Sequence, residues 1–224
     1  MGIAGCKPAK VSTLLFITKT LTSIKYPGVV IRKNLTWNEH IESLIAKVNQ
    51  TIGLLNRIKQ LLPLDARVAL YNALIRPLFD FSDTIWGDRD NIRLMHDLQV
   101  MQNKAAKVIL DLPNYASSTD ALKTLGWPTL SQERLVHRYI NTFKDIHGLV
   151  DRNFNILRIS DIHSYNTRRR NDFRLPLVKR NYGKQRLFYQ CAKEWNFLDA
   201  SFKEINSLLL FKQSIKSCNI LDIL

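Results

Sequence analysis

The side chains best suited to demanding chemistry in this 224-residue chain are two acidic pairs, Asp80 with Asp83 and Asp88 with Asp90. Carboxylates that converge on paired Mg²⁺ ions carry out phosphoryl transfer and phosphodiester cleavage. Residues three apart lie on one face of a helix, so Asp80 and Asp83 could converge. Both pairs flank Trp86-Gly87, however, where helix caps and solvated loop charges account for carboxylates without a metal. The histidines are His40, His96, His137, His147 and His163. None forms an H-E-x-x-H pair and none has a cysteine at zinc-ligand spacing. There is no G-x-x-x-x-G-K-[ST] loop, no G-x-G-x-x-G and no G-x-S-x-G elbow. The sequence therefore presents no complete catalytic apparatus, and no cofactor is expected in this chain.

A second group of residues could bind rather than react. Between His163 and Lys193 stand Arg168, Arg169, Arg170, Arg174, Lys179, Arg180, Lys184, Arg186 and Lys193, against Asp172 alone. Tyr165, Phe173, Tyr182, Phe188 and Tyr189 are interleaved with them. Cations neutralise phosphates and release counterions, and aromatic faces stack on unpaired bases. The same window also reads as a solvated basic surface over core aromatics, or as a nuclear-import signal at Thr167–Arg170.

Composition points the same way. The chain carries 33 Lys and Arg against 19 Asp and Glu, a net charge of +14, which makes nucleic acid the first partner to consider. With 46% hydrophobic residues it can bury a core, which excludes a disordered tail. Its length suits one large or two small domains. No apolar run approaches the ~20 residues of a membrane span, and Met1–Cys6 offers no signal-peptide core. Cys6, Cys191 and Cys218 are odd in number and widely spaced, which argues for a reduced intracellular protein, nuclear or cytoplasmic.

The positioning elements are mainly helical. Thr13–Thr18 and Ser23–Tyr26, leading into Gly28–Ile31, read as strands with one apolar face, a hairpin that belongs to something larger. Thr36-Trp37-Asn38-Glu39 fits a capping box. It opens a helix with Ile41, Leu44, Ile45, Val48, Ile52, Leu55 and Ile58 inward, ended by Pro63. Lys47, Gln50, Arg57 and Lys59 lie on its opposite face. A second helix is predicted from Asp65, with Val68, Tyr71, Leu74, Ile75 and Leu78 inward and a kink at Pro77. Further helices are predicted over about 90–111, 119–125 and from Ser131 to Gly148, forming a mostly α bundle. Beyond it, 151–174 reads as loop, 175–178 as extended, and 185–195 and 207–218 as helices. The divisions are 1–35, a hairpin; 36–148, a helical domain; and 149–224, a basic, partly helical region.

One ordered set of motifs is more specific. Lys25-Tyr26-Pro27-Gly28-Val29-Val30-Ile31, followed by Leu35-Thr36-Trp37-Asn38-Glu39-His40-Ile41, resembles the segment after the palm in reverse transcriptases of non-LTR (LINE-type) retrotransposons. In that family an F/Y-L-G-V strand precedes L-x-W-x-x-H-I at the start of the thumb. Tyr71 to Phe81 is similar to the family's Y-x-x-L-x-x-P helix. Trp86-Gly87, Leu98-Gln99, Gln102–Lys107, Leu125-Gly126-Trp127, Trp195-Asn196 and Phe211-Lys212 continue in family order. The resemblance covers about residues 10–216.

It implies the carboxy-terminal part of an RNA-directed DNA polymerase: palm tail and primer grip over 1–35, thumb over 36–148, then a basic region. The implied partner is an RNA–DNA hybrid or other nucleic acid, held by its backbone, with the missing palm and fingers as a further partner. No membrane is involved. The implied contact residues are Tyr26, Gly28, Lys47, Arg57, Lys59, Arg168, Arg169, Arg170, Lys179 and Arg180. The family's Y-x-D-D carboxylates, which bind Mg²⁺ in the full-length enzyme, have no counterpart here, so this chain alone is expected to be an inactive, truncated fragment. Two departures from the family, Pro27 for Leu and Arg32 for an acidic residue, would weaken the grip. Two alternatives stand beside this reading. One is a non-catalytic interaction fragment with charge-driven binding only, its Leu14–Ile17 and Val29–Ile31 faces docking on an absent palm. The other is a metal nuclease built on Asp80, Asp83, Asp88 and Asp90.

Overall fold

In the computed structural model, residues 23–34, 36–87, 91–150, 157–162, 164–165, 169–179 and 181–217 are described. The expected strand at Thr13–Thr18, and Asp88, Asp90, His163, Arg168 and Arg180, lie outside them. The described chain is mainly α, with a two-stranded antiparallel hairpin ahead of the helices. Strands β1 (Ser23–Tyr26) and β2 (Val29–Arg32) pair Ser23 with Arg32 and Tyr26 with Val29. Pro27 and Gly28 make the turn, and Gly28 has φ of 83°. Proline at the first central position and a left-handed glycine at the second is type II turn chemistry, so the backbone donor that Pro27 lacks is not missed.

Val29 is buried and Ile31 packs beside it on the first helix, α1 (Asn38–Ile58). The hairpin's apolar face is therefore covered by this chain, which corrects the expectation that Val29–Ile31 stands open for an absent palm. The predicted capping box is also corrected. Helix α1 begins after Trp37 with no side-chain cap, and the Thr36 hydroxyl donates to Asn34 Oδ1 at 2.8 Å. Glu39 instead pairs with Arg32 at 3.2 Å across the hairpin seam, so the basic residue that departs from the family pattern meets an acid one element later.

A 3₁₀ turn over Lys59–Leu61 and Pro63 close α1. Helix α2 (Leu64–Leu70), a π turn (Tyr71–Ile75) and α3 (Arg76–Asp80) follow without a break. The wide turn falls just before Pro77, whose missing N–H and ring disfavour a regular α ladder. It moves the buried stripe: Tyr71 and Ile75 are inside, while Leu74, predicted inward, is 47% exposed. Short α4 (Asp83–Trp86) leads to α5 (Ile92–Ile109), which lies along α1. Helix α6 (Ser118–Leu125) ends at left-handed Gly126 and precedes α7 (Leu130–Ile146). Helix α7 opens with a capping box, Thr129 with Gln132.

Two cores meet at α7. The first gathers Trp37, Ile41, Val48, Ile52, Tyr71, Ile75, Phe79, Trp86, Leu98 and Ile109. The second joins Leu135, Tyr139 and Phe143 of α7 to residues further along the chain. These come from α9 (Leu187–Phe197) and α11 (Leu208–Ser217), which follow the short α8 (Asn181–Lys184) and flank α10 (Ala200–Lys203). Phe143 stacks on Phe211 at 4.4 Å, and Trp195 and Ile215 complete the cluster. Asn196 clamps the preceding loop: its Nδ2 donates to the Phe173 carbonyl and its Oδ1 accepts from the Phe173 N–H. Cys191 is fully buried against α7, its Sγ 3.8 Å from the Arg138 carbonyl, and burial pushes its thiol up to about 11.

Two features set the tolerances. Gly87 follows the buried Trp86, and a Cβ there would sit 2.3 Å from the Asp83 carbonyl and 2.9 Å from Arg134 Cδ. Arg138 and Glu194 form a buried ion pair at 2.6 Å between α7 and α9. Gly87→Ala should lower unfolding free energy by about 1–3 kcal/mol through overpacking. Glu194→Ala should cost about 3–5 kcal/mol by stranding the Arg138 charge, and Arg138→Met with Glu194→Leu should recover most of it. Urea unfolding midpoints check both; an unchanged midpoint for either single variant contradicts the packing described.

Candidate nucleic-acid interface

The hairpin tip, α1 and the end of α3 form the first candidate surface. Gly28 meets Phe81, with the site of its absent Cβ 3.0 Å from the Phe81 ring, so any side chain at 28 would push that ring away. Phe81 is itself half exposed, and Tyr26 on β1 is 67% exposed. Lys47 extends from α1 into the same cleft, a hollow of about 140 Å³ bounded also by His40 and Leu78. His40 is a structural residue here: its Nδ1 accepts from the Val30 N–H at 3.4 Å and its ring meets Trp86 edge-on. Burial, aided by the Lys47 charge, lowers its pKa below the ordinary 6.5. Of the expected contact residues, Gly28 and Lys47 are thus brought together in one cleft, while Tyr26 stands exposed on the hairpin next to the turn. Phe81, which the sequence reading placed only in a helix motif, joins them.

Arg57 stands exposed in the last turn of α1, about 15 Å along the axis from Lys47 at ~1.5 Å per residue. Lys59 is differently engaged. Its ammonium pairs with Asp111 at 2.6 Å, and Gln60 donates to the same carboxylate at 3.0 Å. Those hydrogen bonds hold the Asp111 carboxyl below its ordinary range, so a phosphate has to compete for Lys59.

The basic C-terminal window forms a separate surface over the second core. Arg169 and Arg170 lie in an exposed turn whose Arg170 carbonyl accepts from the Ser160 N–H, and Lys179 is exposed beyond it. The four interleaved aromatics whose side chains are described differ in burial and do not form a common stacking face. Phe173 is buried in the core, Phe188 and Tyr189 are half-buried, and Tyr165 is exposed.

Of the acidic residues considered as metal ligands, the described pair, Asp80 and Asp83, is used otherwise. Asp83 is buried and bonded to His137 Nδ1 at 2.6 Å, joining α4 to α7. Asp80 faces Arg76 at 3.5 Å, and Arg76 reaches Glu133 at 3.0 Å. Burial raises the pKa of both Asp80 and Glu133. Arg134 lies over the Trp86 ring, 5.1 Å from its centroid, and burial lowers its pKa to about 10. Among the described residues no group of three or more His, Cys, Asp or Glu is placed to hold a metal. Asp83 and Asp80, each already paired, do not fit the role of magnesium ligands. No helix among the described residues is long and apolar enough to cross a membrane.

Comparison with known proteins supports a relationship to reverse transcriptases. The chain is 28% identical over 134 residues to a probable RNA-directed DNA polymerase from transposon BS of Drosophila melanogaster. The match takes in 57% of this chain but spans about 15% of that protein's length. No family model matches the sequence. No solved structure matches the chain.

The Asp83 hydrogen bond raises the His137 pKa above its ordinary 6.5, against desolvation and with the charges of Asp80 and Glu133 adding to the shift. A raised folded-state pKa stabilises the fold fully below about pH 6.5, the unfolded value, and the gain disappears as pH rises through the folded value. Unfolding midpoints of the native chain should therefore fall as pH climbs above 6.5, and His137→Gln should flatten that fall. An equally steep decline in the variant would assign it to other groups.

Proposed function

We propose that this chain is the primer-grip, thumb and post-thumb part of a non-LTR retrotransposon reverse transcriptase, and that it grips an RNA–DNA primer–template by its sugar–phosphate backbone. The similarity to a transposon RNA-directed DNA polymerase supports the polymerase relationship. The order of elements supports the finer assignment: a hairpin with Tyr26 and Gly28 at its tip feeds directly into a helical bundle. The observation that carries the reading is the cleft that gathers Gly28 and Phe81 beside Lys47, whose ammonium has no partner among the described residues, with Tyr26 exposed next to the turn. A rigid turn flanked by aromatic surface and a cation suits the end of a strand. Arg57 extends the positive face along α1, with Arg169, Arg170 and Lys179 adding a second basic surface. Backbone contacts of this kind position a duplex without reading its sequence.

On this reading the 224 residues bind but do not polymerise by themselves, because no Y-x-D-D motif occurs among them. The net charge of +14 favours a plainer alternative, charge-driven binding to any polyanion.

Fluorescence anisotropy against an RNA–DNA hybrid, with duplex DNA and single-stranded controls of equal length, separates the two. The thumb reading expects preference for the hybrid and a steep fall in affinity with salt. Lys47→Glu with Arg57→Glu should weaken hybrid binding and make the salt slope shallower by about one per lost phosphate contact. Equal binding to all controls, unaltered by those substitutions, would leave only the charge-driven alternative.

A further inference from the structure

We propose that a cavity between the π turn, α5, α7 and α11 binds a single unpaired nucleotide, its base lying on Trp127 and its phosphate between His137 and Lys216. The cavity measures about 330 Å³, at the lower end of the range of small-ligand sites. It is built from parts far apart in the chain: Tyr71 and Asn72, Trp127, His137 and Lys216 all line it. It lies apart from the hairpin cleft.

Trp127 is a preset platform. Tyr71, buried beneath it, stacks on the indole at 3.9 Å with planes 21° apart. The left-handed Gly126 and a hydrogen bond from the Trp127 N–H to the Leu122 carbonyl fix the backbone on either side. Trp37, Trp86 and Trp195 are all buried, whereas Trp127 is half-buried and lines the cavity. An aromatic face held in place at the wall of a cavity stacks on any base at little entropic cost.

The polar groups around it divide into those already committed and those left over. Gln102 donates to the Pro128 carbonyl and accepts from Gln99, so it holds the wall. Arg76 is shared between Asp80 and Glu133. The exposed Asn72 amide and the Lys216 ammonium have no hydrogen-bond or ion-pair partner among the described residues. An amide pairs with the edge of a base, and an ammonium with a phosphate. His137 has its Nδ1 bound to Asp83, and its Nε2 donates when the ring is protonated, the form that the Asp83 hydrogen bond favours. Glu133 is the carboxylate that lines the cavity, and Arg76 offsets its charge. Together these groups match a base with an attached phosphate better than either part alone.

The choice of nucleotide as ligand rests on the nucleic-acid reading above, and the test keeps the two separable. The probe is a nucleoside 5′-monophosphate titrated into the full chain, read by quenching of tryptophan fluorescence, with inorganic phosphate and the free nucleoside run alongside. The monophosphate should quench saturably, and more tightly than either control. Lys216→Glu, an exposed substitution that spares the core, should weaken it about tenfold, the scale of one charge-assisted contact. Trp127→Phe should remove most of the quench while circular dichroism shows the helices intact. Non-saturating quenching, or quenching equal in Trp127→Phe and unaltered by Lys216→Glu, would overturn the site. If the hybrid binds but the monophosphate does not, the cavity inference fails and the thumb reading stands. If the monophosphate saturates the cavity but no hybrid binds, the cavity is upheld and the thumb reading fails.

Discussion

The fold depends on one helix that turns charge inward. Helix α7 buries Arg134 and Arg138 and half-buries His137, within a little more than one turn. A buried charge is costly unless it is paired, so His137 and Arg138 each recruit a carboxylate on another element, whereas Arg134 is met by an aromatic ring and the Met95 sulfur. His137 recruits Asp83 and with it α4; Arg138 recruits Glu194 and with it α9; Arg134 lies over Trp86. Arg134 and Arg138, four residues apart, share one face of α7, and His137 stands about 100° round the helix from Arg138. The helix is thereby fixed in rotation as well as in position, and the aromatic cores on its two sides inherit that setting.

Burying ions is a costly way to join elements, since apolar residues of similar volume serve as well or better for stability alone. What the ion pairs add here is register. Trp86 can occupy its slot only if Gly87 leaves room for the Arg134 side chain, and Arg134 can lie there only in the rotation that also presents His137 to Asp83. Trp86-Gly87 thus reads as a packing motif, in which a Cβ on the glycine would strike first the Asp83 carbonyl of the preceding turn, at 2.3 Å, and then Arg134 Cδ, at 2.9 Å.

Much of this architecture was legible in the sequence. Apolar spacing of three and four outlined α1, α5 and α7, Gly126 marked the end of α6, and Tyr26-Pro27-Gly28-Val29 marked the hairpin. What failed was local: Thr36 and Glu39 fit a capping box by type and spacing, but Asn34 and Arg32 compete for them. The inward stripe after Asp65 slipped at Leu74 because the π turn inserts a residue into the helical period. The candidate site was less legible. Asp83 and His137 are 54 residues apart, and Arg138 and Glu194 are 56 apart, so no spacing rule joins them. Asp80 and Asp83 suggested a metal because pairing partners on another helix are invisible to a linear reading. Phe81 entered the cleft for the same reason.

The buried thiol of Cys191 has a kinetic consequence. It rests on the backbone of α7, with a pKa pushed up to about 11, so in the closed arrangement it is both inaccessible and scarcely ionised. Alkylating reagents reach it only in the moments when α9 lifts away. The rate at which Cys191 becomes modified is therefore a clock for that opening, built into the protein at the seam where its two cores join.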